Sequence, residues 1–288
     1  MDLFFDHGAP YFTVSKSVVL DVVLEWESRG LVAEWKETFG SFDCISKCFT
    51  DSEEESLGKK YVGVPGMNSI CRALCNEPGV ESKFGIGVAK IEWLVNQKSW
   101  SLTSVDGMFL GHFGVLVATD KLLASSGFSN LTGHPPPLDM NLAPQIASKI
   151  EQIPFRSYFV LMLAFSEPLP TISVKGFSFK NSEVLSSAFC DSSKPGRSSA
   201  SECWVLHSTE EYTKKVIANT GRQKASDATF TRGQCLSSCE CSQRRKVLVD
   251  TNKPLVVCGD FCVSPNVEGA IESGLAAASK FMQMHSCI

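Results

Sequence analysis

The sequence predicts a mixed α/β (α+β) chain with a strand-rich middle, and three observations carry that expectation. Residues 253–284 read as a buried strand, a Gly-Asp turn and a long helix. The middle of the chain holds short apolar runs of strand length at 158–165, 184–189 and 203–207, separated by polar turns. Helical periodicity appears between such runs, first at Val18, Val19, Val22, Val23 and Trp26, where the spacing gives one apolar face and Gly30 ends the helix.

The totals narrow the functional classes. At 288 residues the chain is long enough for a substantial core and for one large or two ordinary domains. A hydrophobic content of 43%, a charged content of 20% and a net charge of -4 describe an ordinary globular protein. That balance gives no electrostatic case for nucleic acid as a partner, so a small-molecule substrate is expected. The longest apolar run, 158–165, is far shorter than the roughly 20 residues of a membrane-spanning helix, and no membrane span is expected. No basic region precedes the apolar residues of the N-terminus, so no targeting signal is legible. The 12 cysteines are too sparse for a disulfide scaffold and are read as reduced intracellular thiols. Cys235, Cys239 and Cys241 are the densest group but have no fourth ligand nearby, so no metal site is expected.

In chain order, residues 51–60 read as a charged loop, 61–65 as an extended segment, and Gly66 onward as a helix with Ile70, Leu74 and Cys71 on its apolar face. Strands are expected at 86–95, 100–103 and 112–118, the last ending at Thr119-Asp120. Gly133 to Pro137 breaks regular structure, 141–150 reads as a helix, and 210–218 reads as another. Residues 222–245 keep no period and are expected to be irregular. Residues 255–258 then form a strand, Gly259 a turn and 268–284 the clearest helix.

The closing unit is where chemistry gathers. A buried strand that delivers Gly259-Asp260, followed by a helix opened by Glu268-Gly269-Ala270, brings a carboxylate and free helix N–H groups together. Gly269 is expected to let a ligand approach the backbone, and Ala270, Gly274, Ala277 and Ala278 to let the helix lie tight against a sheet. This string resembles the C-terminal flavin-binding segment of the renalase-like flavin amine oxidases. The resemblance implies FAD as cofactor, with Gly259 and Asp260 on its ribityl or pyrophosphate portion and Val267, Glu268, Gly269 and Ala270 around the flavin ring.

Further matches extend that likeness. The element from Phe5 to Thr13 is similar to the family's Asp-x-Gly-Ala-x-Tyr-Phe turn, which implies that Gly8 and Ala9 pass close to the flavin, although Pro10 stands where many members have Gln. Residues 60–68 resemble the family's Tyr-Val-Gly-x-Pro-Gly-Met segment. Val88 falls at the adenine-contacting valine, and Thr119 closes a matching Val-Ala-Thr string. Residues 161–169, 176–182 and 204–208 resemble plant members, which leaves cytoplasm and plastid both open as compartments.

Two departures qualify the likeness. The family's strand with a Gly-x-Gly-x-x-Gly turn, which cradles the FAD pyrophosphate, has no counterpart; Gly85-Ile86-Gly87 lacks the third glycine and leads into a strand. The family's Arg-Trp-Gly-Ser-Ala segment is replaced by Arg232-Gly233-Gln234-Cys235.

The resemblance therefore implies an incomplete Rossmann-type FAD-binding domain (1–13, 61–130 and 246–288) with an inserted strand-rich substrate domain (14–60 and 131–245). It implies an FAD-dependent oxidoreductase passing hydride from an amine or NAD(P)H to flavin, with oxygen as acceptor. The competing expectation is a truncated, catalytically inactive remnant that does not retain FAD. His207 is a cavity candidate, weighed against a packed histidine. Neither Ser208 nor Asp191 has triad spacing with it, so the sequence gives hydrolysis no support.

Overall fold

The computed structural model describes residues 3–51, 58–139, 141–153, 156–169, 172, 174–197, 201–220, 231–233 and 245–285. The first elements are α1 (Ser17–Ser28), β1 (Val32–Glu34), β2 (Phe39–Asp43), β3 (Cys48–Asp51), β4 (Tyr61–Gly63) and α2 (Met67–Cys75). Next come β5 (Val88–Leu94), β6 (Ser99–Ser104), β7 (Phe109–Phe113), β8 (Leu116–Ala118), α3 (Ser126–Thr132) and α4 (Pro144–Glu151). They are followed by β9 (Tyr158–Phe165), β10 (Gly176–Lys180), β11 (Leu185–Cys190), β12 (Glu202–Ser208), α5 (Glu210–Thr220) and β13 (Thr231–Gly233). The chain closes with β14 (Leu248–Asp250), β15 (Leu255–Val257) and α6 (Val267–His285).

Two compact units result, Met1–Glu81 with Arg156–Leu236, and Ser82–Phe155 with Ser237–Ile288. Their borders fall elsewhere than the sequence expectation drew them: residues 1–13 and 61–81 join the strand-rich unit, and 131–155 join the unit that contains β15 and α6.

The first unit is built on a seven-stranded sheet of order β13-β9-β12-β11-β10-β2-β3, antiparallel except where β2 runs parallel to β10. Strand β12 is central and buried over nearly its whole length, which explains the continuous apolar run Cys203-Trp204-Val205-Leu206. Beside this sheet Trp35 and Phe39 meet edge to face at 4.8 Å, and Tyr11 packs on Phe39 at 5.8 Å and on Phe189 at 5.6 Å.

In the second unit, β15 lies between β14 and β8 and runs parallel to β8. Leu255 and Val257 point into a core with Trp100, Ile146, Ile150 and Phe261, while Val256 points to the other face, against Ala277 of α6. Both faces are covered, so the strand reads Leu-Val-Val without alternation. The antiparallel β5-β6-β7 meander is tied in by Trp100, whose Nε1–H donates to the Pro254 carbonyl at 2.9 Å.

Several expectations are corrected. The strand foreseen at 112–118 is two strands, β7 and β8, because Gly114 and Val115 let the chain leave β6 and pair with β15 instead. Leu74 is 39% exposed, since the short α2 buries only Ile70. Within the segment expected to be irregular, residues 231–233 pair with β9; Cys235, Cys239 and Cys241 lie outside the described residues. On α6 only Ala277 of the foreseen small residues faces the sheet, whereas Ala270, Gly274 and Ala278 face outward. The buried side is instead Gly269, Glu272, Ser273 and Ala277, because polar bonds as well as small size seat this helix.

Trp100 is fully buried, so Trp100→Ala is expected to destabilise the protein by about 4 kcal/mol in urea unfolding. Trp100→Phe restores most of the packing and should leave a deficit of about 1 kcal/mol from the lost indole hydrogen bond, the Pro254 carbonyl keeping the Leu116 N–H.

Candidate functional site

The second unit builds the closing turn from the strand upward. Gly259 has φ 147°, and a Cβ there would stand 2.5 Å from the Phe261 ring and 3.2 Å from the Thr119 carbonyl, so glycine is required. Its N–H donates to Ser273 Oγ at 2.9 Å, and that hydroxyl donates to the Lys246 carbonyl at 2.6 Å. One α6 hydroxyl thereby fixes the turn and the approach to β14 together, and Lys246 is held again by Glu272 at 2.7 Å.

Asp260 follows on a single helical turn, with Phe261 and Cys262 buried beneath it. Its Oδ1 accepts the Phe261 N–H at 2.8 Å, and among the described residues no group donates to Oδ2. Burial pushes the carboxyl above the ordinary aspartate range, against the Phe261 N–H and the attraction of Lys121. Thr119, exposed, sits at the C-terminal end of β8 as Asp260 does beyond β15, the end of parallel strands where α/β folds bind ligands. Val88 opens β5 and packs half-buried against the core of this unit.

The start of α6 differs from the sequence expectation in its physics. Asn266 caps it: Oδ1 accepts the Gly269 N–H at 2.7 Å, and the Asn266 carbonyl accepts the Ala270 N–H at 3.1 Å. A Cβ on Gly269 would lie 2.2 Å from the Ser264 carbonyl, so this glycine admits the chain's own loop rather than a ligand. Val267 and Glu268 are half-buried at the helix start, and Ala270 is exposed.

In the first unit, the segment that leads into Gly8 and Ala9 is anchored at Asp6 by an ionic cluster that sequence reasoning missed. Asp6 Oδ2 receives Lys194 Nζ at 3.0 Å and an Arg197 Nη at 2.6 Å, while its Oδ1 accepts the Met67 N–H at 2.9 Å and so caps α2 from a distant part of the chain. Lys194 also pairs with Asp191, which accepts the Asp6 N–H. The side chains of Asp191 and Lys194 are 0% exposed. A Cβ on Gly8 would meet nothing within 4 Å, so the turn has open space beside it.

His207 is packed against this segment. Its Nε2 bonds the His7 carbonyl at 2.9 Å, which places the proton on Nε2, and Ser187 Oγ lies 3.4 Å from Nδ1. Burial pushes the imidazole below its ordinary value. Ser208 is occupied elsewhere, bonded to Thr213 at 2.7 Å and accepting the Phe159 N–H at 2.9 Å.

Val88, Thr119, Gly259, Asp260, Val267, Glu268, Gly269 and Ala270 thus fall in one compact unit, and Gly8, Ala9 and His207 in the other. Sequence reasoning missed both Asn266 and Ser273; an Asn just before a helix is a local signal that could have found the first, while the second carries no such signal.

The architecture is that of the FAD-dependent oxidoreductases. It is similar to an oxidoreductase from Methanosarcina mazei, at 12% identity over 77% of this chain and 56% of that one, with a TM-score of 0.53. It is also similar to putrescine oxidase bound to putrescine (13% identity, 80% of this chain, 56% of that chain, TM-score 0.51). A probable FAD-dependent monooxygenase from Pseudomonas aeruginosa matches at 12% identity over 98% of this chain and 78% of its own, with a TM-score of 0.50. The chain belongs to the flavin containing amine oxidoreductase family, whose model matches residues 13–281. FAD is the cofactor of this family and fold. The chain spans 56% of the length of the first two structures. Among the described residues no helix is long and apolar enough to cross a membrane.

The residues present fit one part of FAD. Asp260 Oδ2, without a donor from the described chain, suits a sugar-chain hydroxyl, and Gly259 and Thr119 lie beside it. For the pyrophosphate, the sequence supplies no Gly-x-Gly-x-x-Gly turn opening a helix.

Two measurements test this geometry. Arg197→Met leaves Asp6 underpaired in a buried site and should cost about 3 to 5 kcal/mol in chemical unfolding. Because the folded His207 resists protonation, stability should fall as pH drops below the ordinary histidine value of about 6.5. His207→Gln keeps a donor for the His7 carbonyl and should flatten that part of the pH–stability curve.

Proposed function

We propose that this protein is an FAD-dependent oxidoreductase that takes a hydride from an amine or NAD(P)H, with oxygen as acceptor. The observation that carries the reading is the β15–Gly259–Asp260–α6 unit, which presents a half-buried carboxylate at the C-terminal end of a parallel strand pair. Bound FAD supplies the two-electron chemistry. The chain's part is placement: Asp260 accepts a ribityl hydroxyl, Gly259 keeps the turn flat against Thr119, and residues 267–270 border the ring. Val88 serves the adenine side, and the family resemblance assigns Gly8 and Ala9 to flavin binding as well. In this reading 1–13, 61–130 and 246–288 are the FAD-binding parts, and 14–60 with 131–245 shape the substrate site.

A second reading, a remnant of the fold that does not retain FAD, is favoured by the start of α6, where Asn266 takes the Gly269 N–H and the Ser264 carbonyl fills the space at Gly269. The absorption spectrum of the purified chain, before and after incubation with FAD, separates the two. A flavin spectrum that survives gel filtration supports the oxidoreductase reading, and a colourless, FAD-indifferent protein supports the remnant. If flavin is held, Asp260→Ala should weaken its retention about tenfold, the worth of one hydrogen bond to a charged group. Unchanged retention would move the contact elsewhere.

A further inference from the structure

We propose that the cleft between α4, β14 and α6 is a binding site for a small phosphomonoester, distinct from the Asp260 turn. The cleft encloses about 260 Å³ and belongs wholly to the second unit. Strand β15 separates β14 from β8 in the sheet, so the cleft lies on the side of β15 away from β8 and Thr119. Its floor is Ile146, Val247 and Leu248. Ile146 and Leu248 are built into the buried core, and Val247 packs on the cluster beneath α6, so the floor is in place before any ligand arrives.

Three cations rim the cleft, each from a different part of the unit. On α4, Gln145 and Lys149 are about one turn apart and both exposed, while Ile146 between them is buried. Arg245 stands just ahead of β14. On α6, Lys280 lies just over two turns beyond Glu272, the residue that pairs with Lys246 at 2.7 Å beside β14.

Among the described residues that line the cleft there is no carboxylate. Lys280 donates to the neutral Gln283 amide at 3.0 Å, and among the described residues neither Lys149 nor Arg245 forms an ion pair. The acids beside β14 are engaged elsewhere, Glu272 with Lys246 and Asp250 with the Asn252 and Lys253 N–H groups. A chain of net charge -4 thus gathers three cations and no acid around one concavity. Their mutual repulsion is relieved when an anion joins them, and the concave wall focuses the field on that anion.

The number and spread of the charges select the kind of anion. A phosphomonoester carries about -1.5 to -2 at neutral pH and three strong acceptor oxygens, which matches cations on three sides better than a carboxylate with one charge and two oxygens. Arg245 offers paired donors, the two lysines offer point charges and Gln145 an amide N–H. The apolar floor then takes the body of the ester. Drug-sized pockets run from about 300 to 1,000 Å³, so a cleft of about 260 Å³ admits a phosphate on a short hydrocarbon or a single ring and excludes a dinucleotide.

Calorimetric titration of the full chain with phenyl phosphate, at fixed ionic strength and without added flavin, tests the site independently of FAD retention. One site per chain is expected, with inorganic phosphate and benzoate each bound about tenfold more weakly, since the first lacks the apolar body and the second the additional charge. Lys149→Gln and Lys280→Gln should each weaken phenyl phosphate about tenfold. Lys215→Gln, exposed on α5 in the first unit, should leave its affinity unchanged. Lys149 and Lys280 are exposed, so both variants should keep the wild-type urea midpoint, and the wild-type ligand series decides by itself where a variant is unstable. A chain that does not bind phenyl phosphate, binding indifferent to the Lys149 and Lys280 variants, equal weakening by Lys215→Gln, inorganic phosphate or benzoate bound as tightly as the ester, or displacement of phenyl phosphate by FAD would each overturn the proposal.

Discussion

The first unit is organised around one buried carboxylate. Asp6 takes Lys194 and Arg197 on one oxygen and the first N–H of α2 on the other, while its own N–H reaches Asp191. Buried charges are tolerated only when paired and hydrogen-bonded, so none of these groups can move without exposing another. Gly66 belongs to the same constraint, since a Cβ there would crowd Arg197 Nη2 at 3.2 Å and Asp6 Oδ1 at 3.3 Å. The Gly8-Ala9 turn has no regular secondary structure of its own. It is fixed from one side by Asp6 and from the other by the imidazole on the His7 carbonyl.

In the second unit a neutral hydroxyl plays the corresponding part. Ser273 bridges Gly259 and Lys246, which ties α6 to the ends of two strands and leaves Asp260 displayed just beyond the turn. The loop before α6 satisfies its own helix end through Asn266, so the positive end of α6 is already partly used before any ligand arrives. Asp260 differs from Asp6 in having no ion pair among the described residues, and burial raises its carboxyl against the Phe261 N–H and the attraction of Lys121. A carboxyl in that setting suits hydroxyl groups better than a cation-dependent anchor would.

What the sequence revealed, and what it hid, follows from locality. The strand 255–258, α6, α1, β9 and β12 were legible because their apolar residues recur at the helix or strand period, or run unbroken where both faces are covered. Strands β2 and β10 escaped notice because Phe-Gly-Ser-Phe and Gly-Phe-Ser-Phe carry glycine where a side chain would clash. A Cβ on Gly176 would stand 2.6 Å from the Phe39 ring, and that cross-strand packing has no local signature. The ionic cluster was hidden for the same reason, as Asp6 meets Lys194 and Arg197 across the length of the chain. Gly269 was noticed for a sound reason, close backbone approach, but the approaching atom is the Ser264 carbonyl.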